Sequence, residues 1–241
     1  MHGLFGSARN WRGIAQKLSK NAVVYTVDLR NHGASPHVKQ MPYSLMAEDI
    51  VHFMQQQNFQ SAQVLGHSMG GKVAMQLALN YPERVNRLIV VDMAPVTYTH
   101  NFNDILTALS NIPMETISSR NDADEILKKS IDVLSLRQFL LQNLVAKESG
   151  GYAWRVNLDS IKSNMSNIMG FPKENKNVTY TNPTLFIGGG NSTYLAERYL
   201  AAVKTLFPSA QVDILKGVGH WPQVEAPKAF LSCLEPFLGV D

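Results

Sequence analysis

The chain has 241 residues, 45% hydrophobic and 17% charged, with a formal net charge of +3. That balance fits one soluble α/β domain and excludes a disordered chain, and the small positive excess contains no Lys/Arg run of the kind nucleic-acid binding needs. A single cysteine, Cys233, rules out an internal disulfide framework, and neither a signal peptide nor an integral membrane segment of ~20 apolar residues is visible. The expected setting is therefore intracellular, cytoplasmic by default.

The chain opens inside a turn motif, "MHGLFGS", with no strand before it. Helical spacing follows over 9–19, then an apolar β-branched run, "AVVYTVD" (22–28), reads as a strand leading into "DLRNHG". The next helix, 44–57, begins after Ser44 as N-cap and places Leu45, Ile50, Phe53 and Met54 near one face. Strand "AQVLG" (62–66) meets helix 71–80, and "RLIVVD" (87–92) follows. From about 96 to 180 the rhythm breaks into helical patterns with no convincing strand, ending in the polar "PKENKNVTYTNP". Strand 183–189, helix 194–206, strand 210–217 and helix 226–238 complete the chain. This alternation predicts a mostly parallel sheet with helices on both faces. It makes 1–241 one domain with a helical cap inserted over the sheet's carboxyl edge. The sequons at Asn164, Asn177 and Asn191 read as chance matches.

The segment "VLGHSMGGKV" (64–73) fits two machines. Gly66–Lys72 opens like a P-loop, and "LIVVD" resembles its partner strand, but the Mg²⁺-binding Ser or Thr position holds Val73. G-x-S-x-G around Ser68 accounts for more of the letters. A nucleophile on a tight strand-to-helix turn needs very small neighbours, and Gly66 and Gly70 stand two residues either side. Ser68 would then cap the helix, whose dipole favours developing negative charge.

A serine hydroxyl needs a base, and the partners of this elbow follow in the order Ser, Asp/Glu, His. Only His100 and His220 come after the elbow helix, and His220, in "KGVGHWPQVEAP", lies between a predicted strand and the last helix. The turn after the following strand, "GGNSTY", has no carboxylate. Asp92, ending "LIVVD", is therefore the favoured acid, and Asp159 is the alternative, its plainer reading being a helix N-cap. For an oxyanion the amides of Met69 and of Leu4 or Phe5 in "HGLFGS" are the expected donors, with His2 bracing the loop. Phe102, Phe139 and Trp221, with Ile105, Leu109 and Leu140, are candidate pocket residues, although most such residues simply pack a lid. Lys72 and Arg30 read as solvated charges or as contacts for a phosphate-bearing leaving group.

"HGLFGS", "VDLRNHGASP", "GHSMGGK", "VVDMAPV", "PTLFIGGGNS" and "GVGHWPQVEAP" together resemble the α/β-hydrolase superfamily. The likeness is strongest to its small esterase and thioesterase branch, with bacterial acyl-CoA esterase and eukaryotic abhydrolase-domain-eleven members. The resemblance implies a serine hydrolase with a helical cap, acting without cofactor or metal on a small-molecule acyl ester or thioester. It carries over Ser68 and His220, and Asp92 by its place 24 residues after the serine; some eukaryotic assignments would put the acid at Asp159. Family members have further strands before the "HG" loop, so N-terminal strands are expected to be missing here, along with any mitochondrial targeting peptide. Two other readings stand beside hydrolysis of esters: carbon–carbon bond hydrolysis or a lyase reaction on the same scaffold, and a partner-binding protein without turnover. The sequence is compatible with monomer or dimer.

Overall fold

A computed structural model of the protein describes residues 1–172 and 178–239. Four strands form one parallel sheet: β1 (Ala62–His67), β2 (Val85–Val91), β5 (Thr184–Gly189) and β6 (Ala210–Leu215), in the order β1-β2-β5-β6. A two-stranded antiparallel hairpin, β3 (Leu144–Ala146) and β4 (Tyr152–Trp154), lies in the cap. The helices are α1 (Arg12–Leu18), α2 (Tyr43–Gln56), α3 (Met69–Asn80), α4 (Asn103–Ser110), α5 (Arg120–Leu127), α6 (Leu134–Leu141), α7 (Leu158–Ser163), α8 (Met165–Met169), α9 (Leu200–Leu206), α10 (Pro222–Glu225) and α11 (Pro227–Leu238).

The strands sort their side chains onto two faces, as a period of two requires. Leu88, Val90 and Phe186 pack with α2, α3 and α9, while Ile89, Val91, Leu185 and Ile187 pack with Trp11, Ile14 and the α11 residues Phe230, Leu231 and Leu234. β2 and β5 are central and covered on both sides, which is why their sequences are almost continuously apolar.

Three expectations need correction. Residues 22–28 form no strand: a cavity of about 560 Å³, lined by residues 22–27 on one side and 62–65 on the other, separates this run from β1. A β-branched run becomes a strand only with a hydrogen-bonding neighbour, and here Val23 is left 85% exposed. The chain's first residue instead pairs with the edge of β1, the Met1 ammonium donating to the Leu65 carbonyl (2.7 Å) and the His67 N–H to the Met1 carbonyl (3.1 Å). Helix α2 starts one residue before Ser44, behind an extended Pro42 at the N-cap position. The cap also contains the β3–β4 hairpin, turned at Gly150 and Gly151 with φ of 87° and 75°. The polar stretch after Pro172, including the sequon Asn177, lies partly outside the described residues.

Three polar links tie the cap to the sheet domain. Lys72 of α3 donates to the carbonyls of Ile168 (3.4 Å), Met169 (2.8 Å) and Gly170 (2.6 Å). Asn164 takes the Met41 N–H and donates to the Lys39 carbonyl, and Asn143 donates to the Phe5 carbonyl at 2.7 Å. Lys72 is thus buried, neither solvated nor offered to a ligand. Arg30 is occupied too, by both carboxylate oxygens of Asp49 and the carbonyls of Gln40 and Leu45.

Candidate active site

The turn between β1 and α3 holds Ser68 at φ 54° and ψ −120°, a conformation that few side-chain-bearing residues adopt. It closes because its neighbours are glycines. A Cβ on Gly66 would lie 2.0 Å from the Gly70 carbonyl oxygen, and one on Gly70 would lie 2.5 Å from the His2 carbonyl oxygen. The Ser68 N–H donates to the Val91 carbonyl (3.0 Å), fixing the turn against β2. Ser68 occupies the N-cap position of α3 but makes no side-chain cap bond, contrary to expectation. Its Oγ donates instead to His220 Nε2, at 3.0 Å.

His220 stands in the loop between β6 and α10, and its Nδ1–H donates to Asp92 Oδ2 at 2.6 Å. Asp92 follows β2 directly, has φ 46° and is wholly buried. Its charge is compensated by hydrogen bonds. The Gly189 N–H reaches Oδ1 (3.0 Å), and the Ser192 hydroxyl donates to Oδ2 (2.5 Å). Asp159, by contrast, is exposed on α7 and makes no hydrogen bond to His220. It is not that helix's N-cap either, a place taken by Asn157, whose side chain accepts the Ser160 N–H.

Two buried histidines brace the site without adding charge. His67 Nε2–H donates to the His220 carbonyl (2.7 Å), and burial, with the His220 ring 4.8 Å away, pushes its pKa well below the usual range. His32 Nε2 accepts the Phe5 N–H (3.2 Å), and burial lowers its pKa to about 4. His2 accepts the Leu29 N–H and donates to the Gly3 carbonyl, so it holds the "HGLFGS" loop as expected. Because His32 takes the Phe5 amide, the free donors beside Ser68 are narrowed. Among the described residues the N–H groups of Leu4 and Met69 meet no protein acceptor.

Rings surround this point. Phe102 packs edge-on against Phe5 (6.2 Å between centroids), and Trp221 lies 5.6 Å from His220 and 5.9 Å from Phe139. Of the six pocket candidates, Phe102, Ile105, Phe139 and Trp221 are half-buried, whereas Leu109 and Leu140 are sealed in the cap's own core. His100 is exposed and accepts a hydrogen bond from the Tyr194 hydroxyl (2.6 Å). Sequence reasoning missed Ser192, Tyr194, His67 and His32. The carboxylate-free turn "GGNSTY" was the available signal, since a turn with no acid of its own can supply the hydroxyl that holds an acid from elsewhere.

The alpha/beta hydrolase fold family matches residues 1–227. The chain is 40% identical to the Danio rerio sn-1-specific diacylglycerol lipase ABHD11, over 99% of this chain and 77% of that protein. It is 34% identical to Esterase YbfF of Escherichia coli, over 99% of this chain and 91% of that one. Among solved structures, a marine microorganism esterase superposes with a TM-score of 0.95 at 38% identity, covering 98% of this chain and 93% of its own. Among the described residues no helix is long and apolar enough to cross a membrane. With its elbow at the carboxyl edge of a parallel sheet, beneath a helical cap, the chain belongs to the alpha/beta hydrolase fold family.

Proposed function

We propose that the protein is a serine hydrolase that cleaves carboxylic esters through an acyl-enzyme on Ser68. One observation carries the reading: an unbroken proton path from Ser68 Oγ to His220 Nε2 (3.0 Å) and from His220 Nδ1 to Asp92 (2.6 Å). Among the described residues the backbone N–H groups of Leu4 and Met69 meet no protein acceptor; Met69 adjoins Ser68, and Leu4 follows Gly3, which packs against the Ser68 side chain. The similarity to esterases and a lipase supports the same reaction class.

In this mechanism His220 takes the Ser68 proton as the oxygen attacks the ester carbonyl. Asp92 holds the imidazole in the tautomer with its proton on Nδ1 and stabilises the imidazolium. The oxyanion of the tetrahedral intermediate is met by the Leu4 and Met69 N–H groups and by the N-terminus of α3, and its collapse returns the proton from His220 to the leaving alcohol. Water, deprotonated by the same histidine, then releases the acid. Acyl thioesters, acyl-CoA among them, would follow the same path with a thiol leaving, and the rings of Phe102, Phe139 and Trp221 form an apolar rim suited to an acyl chain. Neither route needs a metal or a cofactor. The test is hydrolysis of p-nitrophenyl acetate and butyrate by the parent and by Ser68→Ala, with folding checked in both. Turnover by the parent alone supports the reading, and a folded, silent parent refutes it. Acyl-CoA substrates, assayed next, separate esterase from thioesterase.

A further inference from the structure

The turn after β5 carries no acid, yet it approaches the base more closely than any other ring does. Tyr194 lies nearly flat on the His220 imidazole, with 4.2 Å between centroids and 29° between planes. It is held at three points. Its N–H donates to Ser192 Oγ (3.2 Å), whose own proton goes to Asp92. Its carbonyl accepts the Tyr98 hydroxyl (2.5 Å), and Tyr98 in turn accepts the Ala94 N–H (2.9 Å), two residues beyond Asp92. Its phenol donates to His100 Nε2 (2.6 Å), and burial, then the Asp92 charge, pushes its pKa up to about 12, so it stays a donor. The turn itself is locked to the loop that carries the base, through Gly190 N–H to the Leu215 carbonyl and Asn191 N–H to the Val218 carbonyl (both 2.8 Å).

Resting on the triad reading above, we propose that Tyr194 is a positioning residue for the general base, its pinned ring fixing the His220 imidazole and favouring the imidazolium form. The electron-rich face of a phenol attracts a cation lying over it, and this attraction exists only while the base holds the serine's proton. It therefore acts on the transition state more than on the resting enzyme. The other groups around His220 are Asp92 from the end of β2, Ser68, neutral His67 from β1, Trp221, His100, and Glu225 of α10, whose carboxylate takes the N–H groups of Gly219 and Trp221 on either side of the base. Asp92 and Glu225 are the carboxylates among these; Asp92 bonds the ring edge and Glu225 the flanking backbone, so on the ring face that Tyr194 covers it is the phenol that favours the cation. Edge-to-face contacts run on from Tyr194 through His100 and Phe102 to Phe5, with centroid spacings of 5.2, 5.8 and 6.2 Å, linking the base's support to the oxyanion loop.

The test compares Tyr194→Leu, which removes the ring, with Tyr194→Phe, which keeps the ring and loses only the His100 bond. Hydrolysis of p-nitrophenyl butyrate is followed against pH, and His220 is titrated by NMR of the histidine-labelled protein. The Leu variant should lose about tenfold in kcat with little change in KM, and its imidazole should titrate about half a unit lower. The acid limb of its kcat/KM profile should move to lower pH by the same amount. The Phe variant should restore most of the rate and the parent titration. An unmoved imidazole titration in the Leu variant, or a Phe variant as impaired as Leu, would overturn the proposal. The titration needs no turnover, so a parent that fails to hydrolyse esters would sink the hydrolase reading while this measurement still gives its own answer. If the Leu variant does not fold, Tyr194→Met removes the π-face with little loss of bulk and is judged by the same two readouts.

Discussion

Replacing Asp92 by Asn changes one atom and reverses the logic of the site. In the parent, Oδ1 takes the Gly189 N–H while Oδ2 takes protons from both His220 Nδ1 and Ser192. An asparagine that keeps its oxygen toward Gly189 must turn its NH₂ toward His220. The imidazole can accept that proton only by moving its own to Nε2, where it can no longer take the proton of Ser68. An asparagine flipped the other way keeps the tautomer but opposes the Gly189 N–H with another donor, leaving a buried mismatch that costs about 1–3 kcal/mol. The first arrangement is the cheaper, and in a Ser-His-Asp triad the wrong tautomer costs about 10⁴ in kcat, or about 5.4 kcal/mol of transition-state stabilisation at 1.36 kcal/mol per decade. Initial rates on p-nitrophenyl butyrate at saturating substrate measure this, with circular dichroism as the folding control. Asp159→Asn, at an exposed position of α7, should stay within about twofold of the parent. An Asp92→Asn protein that keeps more than a tenth of the rate, or an Asp159→Asn protein that loses most of it, would refute the assignment of the acid.

Other outcomes follow from the same geometry. Ser192→Ala removes one charge-assisted hydrogen bond to Asp92 and should cost about tenfold to a hundredfold in kcat, well short of Asp92→Asn. Gly66→Ala drives a Cβ to within 2.0 Å of backbone and should lower unfolding free energy by about 3 kcal/mol or more, read by urea denaturation. Lys72→Met strips donors from the carbonyls of residues 168–170 and should destabilise the protein by about 3 kcal/mol, read the same way. Stability should also fall on acidification. His32 has a folded pKa of about 4 against 6.5 unfolded, so its contribution is complete above 6.5 and is lost as pH falls from there toward 4, at about 1.4 kcal/mol per pH unit. His2 and His67 are depressed in the same direction. Thermal unfolding between pH 7 and 4 checks the slope, and His32→Gln should flatten it.

What the sequence revealed follows from how local each constraint is. The elbow was legible because Gly66 and Gly70 answer a steric demand within five residues. Asp92 was legible by elimination, a carboxylate at a strand end where the next turn, "GGNSTY", offers none. The failures concern partners distant in sequence. A strand at 22–28 depends on a neighbouring backbone, and nothing in "AVVYTVD" reports that β1 lies across a cavity. Lys72 looked like surface charge because composition cannot reveal three carbonyls almost a hundred residues away. The three-residue strands of the cap hairpin are too short for any periodicity to register. Tyr194 was unreadable for the same reason: its meaning lies in stacking on a residue from another loop.

The central claim, a nucleophilic Ser68 activated by His220, is tested most directly by intact-protein mass spectrometry after treatment with a fluorophosphonate. The account predicts one adduct, mapped to Ser68, absent from Ser68→Ala and strongly slowed in His220→Ala. A folded protein that takes up no phosphonate, or takes it up on another residue, would contradict it.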